Sequence, residues 1–283
     1  MMRLVRVLEL MFMVALCLPP AVGAAETSGS LTVGGDTVKP TAAVAMWAES
    51  TAMWNKGAKI LQIYMAPSPI STEGLDQALD QDESLRDGFP GDFVVLTLDD
   101  QGAFSMIYAY IDEGSQNYGF NEGVVTLDKL GPDVVSGRVD SEGKKSLGDT
   151  PISFDLRFEA AILPPPPKGT DLGTSGGAPG AAYLAYVTAL REGDAAMLLK
   201  HAAKAHADEV AATPEEYRQY TLDSAKESAP LEMAVTGGQL FGGYAILTVA
   251  GKDWAGDKVE GKVKMVLDGE IWRFAEEDLE TVW

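Results

Sequence analysis

The run Pro164-Pro165-Pro166-Pro167, with the Lys168–Gly180 stretch behind it, constrains this chain more than any other feature. Four consecutive prolines favour extended polyproline geometry and withhold their backbone donors, so no helix interior or central strand passes through them. Gly173, Gly176, Gly177 and Gly180 follow, and residues 164–180 read as a Pro/Gly-rich linker. Two bodies with separate cores are therefore expected, one over 25–163 and one over 181–283. Each is long enough to bury a core of its own.

The first residues read as a leader. Arg3 and Arg6 precede an apolar run from Leu10 to Leu18, then Pro19-Pro20 and the small-residue stretch Ala21-Val22-Gly23-Ala24. This order predicts a signal peptide over 1–24, cleaved after Ala24, and a periplasmic or secreted product. The apolar run is shorter than the roughly 20 residues a membrane span needs, so no stable membrane insertion is expected. Cys17 is the only cysteine and falls inside the leader. Leu16 stands before it, where lipidation wants a small residue, so Cys17 is read as discarded. The mature chain then has no disulfide, thiol nucleophile or thiolate metal site.

The formal charge is −20, and loss of the leader (two arginines and one glutamate) makes it one unit more acidic. Such a field repels nucleic acid and anionic lipid head groups, and no nucleic-acid partner is expected. The acidic excess is read as a solvated surface.

The first half carries strand signals at short spacing. Leu31-Thr32-Val33 and Thr37-Val38-Lys39 flank Gly34-Gly35-Asp36, which predicts a hairpin. Ile152, Phe154, Leu156 and Phe158 alternate with Ser153, Asp155, Arg157 and Glu159, as a strand with one buried face requires. One helix is predicted between Thr72 and Arg86, with an acidic exposed side. The stretches Leu31–Gly35, Val135-Ser136-Gly137-Arg138-Val139 and Phe154–Phe158 resemble a β-rich module found ahead of other domains in exported bacterial proteins. The resemblance implies an all-β sandwich or open barrel and no activity.

The second half opens with helical periodicity: Tyr183, Leu184, Val187 and Leu190 form a stripe that ends at Glu192-Gly193. Asp194 is placed to cap a second helix, and Thr213-Pro214-Glu215-Glu216 predicts a capping box for a third. From Leu231 the pattern turns to strands, with Asp268-Gly269 as a tight turn. Together these predict an α+β domain with a curved antiparallel sheet against the first helix. The stretches Tyr183–Asp194, Tyr244–Ala250 and Val263–Arg273 resemble the nuclear transport factor 2-like superfamily, which also holds ketosteroid isomerases and polyketide cyclases. The resemblance implies a cone-shaped α+β fold, and little about chemistry, because the superfamily mixes enzymes, binders and scaffolds.

No motif fixes a reaction. His201 and His206 are five apart, where helical metal pairs prefer three or four, and Lys200 and Lys204 crowd them. Gly173-Thr174-Ser175-Gly176-Gly177 matches the nucleophile-elbow pattern but stands in the linker, without the strained strand-to-helix turn the motif needs. Trp47 and Trp54 fit core positions better than a sugar groove. The inward strand faces read Met233, Leu247, Met265, Trp272 and Phe274, and none of them is ionisable. Residues placed to line a pocket are Tyr183, Val187, Met233, Leu247, Met265 and Trp272. No catalytic, cofactor-binding or metal residue is assigned.

The sequence therefore points to a non-catalytic binding or interaction protein of the bacterial envelope, taking a protein partner or a small apolar ligand. It also admits a homodimer through the C-terminal sheet. One alternative is an isomerase, cyclase or hydrolase acting on a hydrophobic substrate in the cone. A strand set off by one residue, with a buried carboxylate near Tyr183, would favour it. Another alternative is a ligand-free structural component. The intact mass of the protein taken from its native host should correspond to a chain beginning at Ala25; any other start overturns the assigned cleavage site.

Overall fold

A computed structural model of the chain describes residues 27–282 apart from 54, 112–115, 144, 148–149, 205–206 and 209–211. The expected leader with its cleavage site, Cys17, Trp54 and His206 lie outside the described residues. Strand accounts for 48% of the structure and helix for 20%, about twice the strand content of an ordinary globular domain. The fold is β-dominated, and its sheets are open, not closed into a barrel. Among the described residues no helix is long and apolar enough to cross a membrane.

The chain forms two compact units. One holds the described residues up to Ile70 with Phe89–Pro164; the other holds Ser71–Gly88 with the described residues from Pro165 onward. The chain order alone put Ser71–Gly88 with the first body. It belongs to the second.

In the first unit one long strand organises the sheet. β11 (Thr150–Ile162) pairs antiparallel with β1 (Ser28–Val33) along one side and with β9 (Val134–Asp140) along the other. Its last two residues meet β3 (Ala42–Glu49) in parallel. From β3 the order continues through β4 (Lys59–Ala66), β5 (Phe93–Asp99), β6 (Phe104–Ile111) and β7 (Gln116–Phe120). β2 (Asp36–Val38) completes the expected hairpin with β1; Asp36 belongs to the strand and not the turn, so Leu31 stands opposite Val38. β8 (Val124–Leu130) pairs β9, and β10 (Lys145–Leu147) pairs β11.

The alternation read from the sequence holds through β11: Ile152, Phe154, Leu156 and Phe158 are buried, and Ala160 and Ile162 continue the face. Each such side chain contributes about 1.5–3 kcal/mol when fully buried. On the polar face Asp155 stands opposite Asp140 and Arg157 opposite Arg138, two like-charge pairs. Arg138 resolves both by forking diagonally onto Asp155 at 2.7 Å for each bond, which holds the Asp155 carboxyl below its usual range.

The second unit pairs five described strands in chain order: β12 (Thr170–Asp171), β13 (Glu232–Leu240), β14 (Tyr244–Lys252), β15 (Lys258–Asp268) and β16 (Ile271–Thr281). Helices α2 (Gly177–Glu192) and α3 (Ala195–His201) pack on one sheet face, and α4 (Glu215–Glu227) packs beside α2. Gly193 ends α2 in the left-handed region, and Asp194 accepts from the Met197 amide at 3.0 Å, as the sequence predicts. The third helix starts one residue later than the capping-box reading placed it. Pro214 occupies the cap position of α4 without a side-chain bond, and the Arg218 guanidinium reaches back to the Thr213 carbonyl at 3.1 Å.

The linker differs from expectation too. Thr170 and Asp171 already pair with Leu240 and Gln239, and α2 starts at Gly177. Glycines that read as flexibility serve close approach. A Cβ on Gly180 would stand 2.1 Å from the Ser175 carbonyl oxygen, and one on Gly176 would stand 2.8 Å from both Leu247 and Val235. Gly180→Ala should therefore destabilise the second unit by about 1–3 kcal/mol. Gly243→Ala, with nothing within 4 Å, should stay within about 0.5 kcal/mol. Urea unfolding of the two variants measures the contrast; equal midpoints would contradict this account of α2 docking.

Candidate functional site

The helix-covered face of the second sheet is where the sequence placed its pocket-lining residues. Tyr183, Val187, Leu247 and Met265 all lie in one buried core cluster, and Met233 and Trp272 pack against its margin. Tyr183, Leu247, Val263 and Met265 are each 0% exposed. The inner rows follow from register. Ala245, Met265 and Phe274 form one row across β14, β15 and β16, and Leu247 and Val263 begin the next.

That second row ends on a carboxylate. Met265 stands opposite Phe274 but Lys264 stands opposite Glu276, so Ala275 is an unpaired extra residue in β16. A bulge of this kind displaces the alternation by one position. Without it Glu276 would share the face of Phe274; with it Glu277 does, directly opposite Val263. The reading of the inward faces as free of ionisable groups missed this residue. Glu232, Lys264 and Arg273, which a one-residue slip of their strands would turn inward, keep to the outer face. The only hint in the sequence is the break in apolar alternation after Phe274.

Tyr183 of α2 donates its hydroxyl to Glu277 Oε2 at 3.4 Å. Tyr186, one turn on, stacks on Phe274 with centroids 4.2 Å apart and planes 8° from parallel. Glu277 keeps contact with solvent, yet protein surrounds its carboxyl closely enough that burial raises its pKa, a rise the Tyr183 hydrogen bond partly offsets. Such a group stands at the margin of the core, open to solvent. Burial, then the Glu277 charge, pushes the Tyr186 phenol up to about 12 and that of Tyr183 further. Both are neutral donors at any physiological pH.

Other candidates carry less. His201 ends α3, its pKa lowered by burial and by Lys200 and Arg273. Among the described residues no group of three or more His, Cys, Asp and Glu could hold a metal ion. Ser175 Oγ accepts from the Gly177 amide at 3.4 Å just ahead of α2, a turn contact. Trp47 packs against the first core under the Lys59 ammonium, 4.0 Å from its centroid. In the first unit Phe89, Phe93 and Tyr110 stack in series beside a cavity of about 250 Å³ between Ala66–Ser68 and Phe89–Asp92. Asp92 is the one charged residue in its described lining.

No protein-family model and no curated protein matches this chain. The functional reading therefore rests on the geometry above.

The Glu277 carboxyl titrates higher in the folded protein than its ordinary 4.5. A carboxyl with a raised folded pKa makes the second unit less stable as pH climbs through that pKa. Glu277→Gln should flatten this part of the stability–pH curve. Tyr183→Phe removes the bond that favours the ionised form, so the Glu277 midpoint, followed by carbon-detected NMR, should move up. A downward or absent shift would mean the 3.4 Å contact does not form in solution.

Proposed function

We propose that this chain is an exported protein of the bacterial envelope that acts by binding rather than catalysis. In this reading a β-sandwich unit is joined to an α+β unit of the nuclear transport factor 2-like kind. The observation that carries it is the filled inner face, where Tyr183, Leu247, Val263 and Met265 have no exposed surface. A face so filled leaves no room for a substrate of size and moves recognition to the outside. Tyr217 and Tyr220 on α4 are 59% and 72% exposed, and Trp254, at the β14–β15 turn, is 63% exposed. These residue types are enriched at interfaces. The expected occupant is a protein partner or a second copy through the sheet, with a small apolar ligand requiring the inner face to open. A ligand-free envelope component is compatible with the same packing.

A second reading is favoured by one observation, the Glu277–Tyr183 pair. A carboxylate with a raised pKa, reachable by solvent and held by a phenol, suits proton transfer on a hydrophobic substrate, as in an isomerase, cyclase or hydrolase. Glu277 would be the base and Tyr183 its positioning partner.

Native mass spectrometry of the protein isolated from its own envelope fraction separates these readings. The interaction reading expects a bare monomer, a dimer or a protein complex. Excess small-molecule mass that is lost on denaturation, and abolished by Glu277→Gln, would overturn it in favour of the second. Met265→Glu should unfold the second unit, as a buried unpaired charge does; a stable variant would mean that the inner face is an open pocket.

A further inference from the structure

The segment Ser71–Gly88, carried between β4 and β5 in the chain, crosses the outer face of the second sheet. Tyr244 on β14 donates its hydroxyl to the Asp76 carbonyl at 3.2 Å. Lys262 on β15 donates its ammonium to the Leu79 carbonyl at 3.1 Å. Glu83 lies close enough to Asp278 and Glu276 on β16 to feel their charge. The two hydrogen bonds and this charge coupling step across three neighbouring strands in chain order. All four sheet residues point away from the helix-covered face, since Ala245, Val263, Met265 and Glu277 take the inner positions.

The segment has a defined shape. Gly74 sits at φ 81°, a 3-10 turn spans Leu75–Gln77, and the Gln81 amide donates back to the Leu75 carbonyl at 2.9 Å. Asp80 then caps α1 (Gln81–Asp87) by accepting from the Asp82 and Glu83 amides. Leu75, Leu79 and Leu85 are its buried side chains. It holds six carboxylates and one arginine, while β15 offers Lys258, Lys262 and Lys264 to the outer face. Opposite charge draws it on, and main-chain carbonyls are what the sheet grips. One end works against docking: burial first, then Asp87, Asp278, Asp80 and Glu276, raise the pKa of Glu83.

We propose that Ser71–Gly88 is a displaceable strap, and that two copies of this chain dimerise by exchanging it, each strap seating on the Tyr244–Lys262 face of the other. Exchange reuses every contact of the closed monomer, so it asks for no new interface. Only the flanking segments, which hold Pro67, Pro69 and Pro90, need re-route. This deepens the interaction reading of the second unit by naming the surface and the partner, and it rests on that reading.

The test uses two full-length variants. In one, residues 73–86 are replaced by a Gly/Ser stretch, leaving an open face and no strap. The other carries Lys262→Ala with Tyr244→Phe, leaving a strap and a weakened face. Each alone should be monomeric by light scattering, and mixing should give a one-to-one heterodimer. Dimers of the strapless variant alone, or no heterodimer from two folded variants, overturn the proposal. A synthetic peptide of residues 71–88 supplies an arm that needs no replacement. It should compete with wild-type self-association, and its Glu83→Gln form should bind about twofold tighter. Native hydrogen exchange completes the test. Strap amides at Ser84–Gly88 should open before those of β15; exchange of both only on global unfolding would mean the strap never leaves. Failure of every strap arm while a different partner still binds would sink the strap alone; a retained small molecule would sink the interaction reading.

Discussion

The second unit depends on one unpaired residue, Ala275. The bulge it makes lets β16 begin with Phe274 on the inner face, where Tyr186 stacks on it, and continue with Glu277 there instead of Glu276. Phe274 also anchors α3: its carbonyl accepts from the Ala203 amide at 2.6 Å, and the neighbouring Arg273 donates to the carbonyl of Lys200 at 2.6 Å. With strict alternation the same strand would present an apolar start and then a polar inner edge one residue out of phase. Tyr183 would face Glu276 or nothing. The carboxylate–phenol pair is therefore a product of backbone register, and only secondarily of the residues that form it.

This explains what was legible in the sequence. Alternation over Ile152–Phe158 gives the correct faces because the strand is regular there, and Met265 faces inward as its pattern requires. The Gly34-Gly35 hairpin, the Asp194 cap and the Gly193 stop are local chemistry, decided within four residues. The failures are non-local. Whether Ala275 pairs is settled by β15, so its bulge leaves no trace in β16 beyond a broken period. That Ser71–Gly88 leaves its neighbours in sequence depends on Tyr244 and Lys262, more than 160 residues on. Glycine ambiguity accounts for the linker: Gly176 and Gly180 look the same whether they loosen a chain or admit a close contact.

The acidic surface has more structure than its total suggests. In β11 and β9 like charges face each other directly and Arg138 cross-links them diagonally, an exposed pair that adds little stability but favours one register over its neighbours. In β15 and β16 the outer face alternates sign by strand, with Lys264 beside Glu276 and Lys262 beside Asp278. β16 is the edge of its sheet, and carboxylates along an edge discourage unplanned strand pairing. The same carboxylates oppose Glu83 in the first turn of α1. A single charge row thus limits association by backbone pairing while leaving association by strap contacts possible.

The filled inner face and the reachable carboxylate are not in conflict. Tyr183 is fully buried while its partner Glu277 is exposed, because Glu277 lies on β16, the edge strand among the described residues. The raised proton affinity of Glu277 follows from the surrounding protein mass, and that alone does not make a catalyst: a substrate must also reach the carboxyl with its reacting atom. Leu247 and Val263, which complete the row behind Glu277, are fully buried, so any approach to the carboxyl comes from its solvent side. The Tyr183–Glu277 bond ties α2 to the edge strand of the sheet.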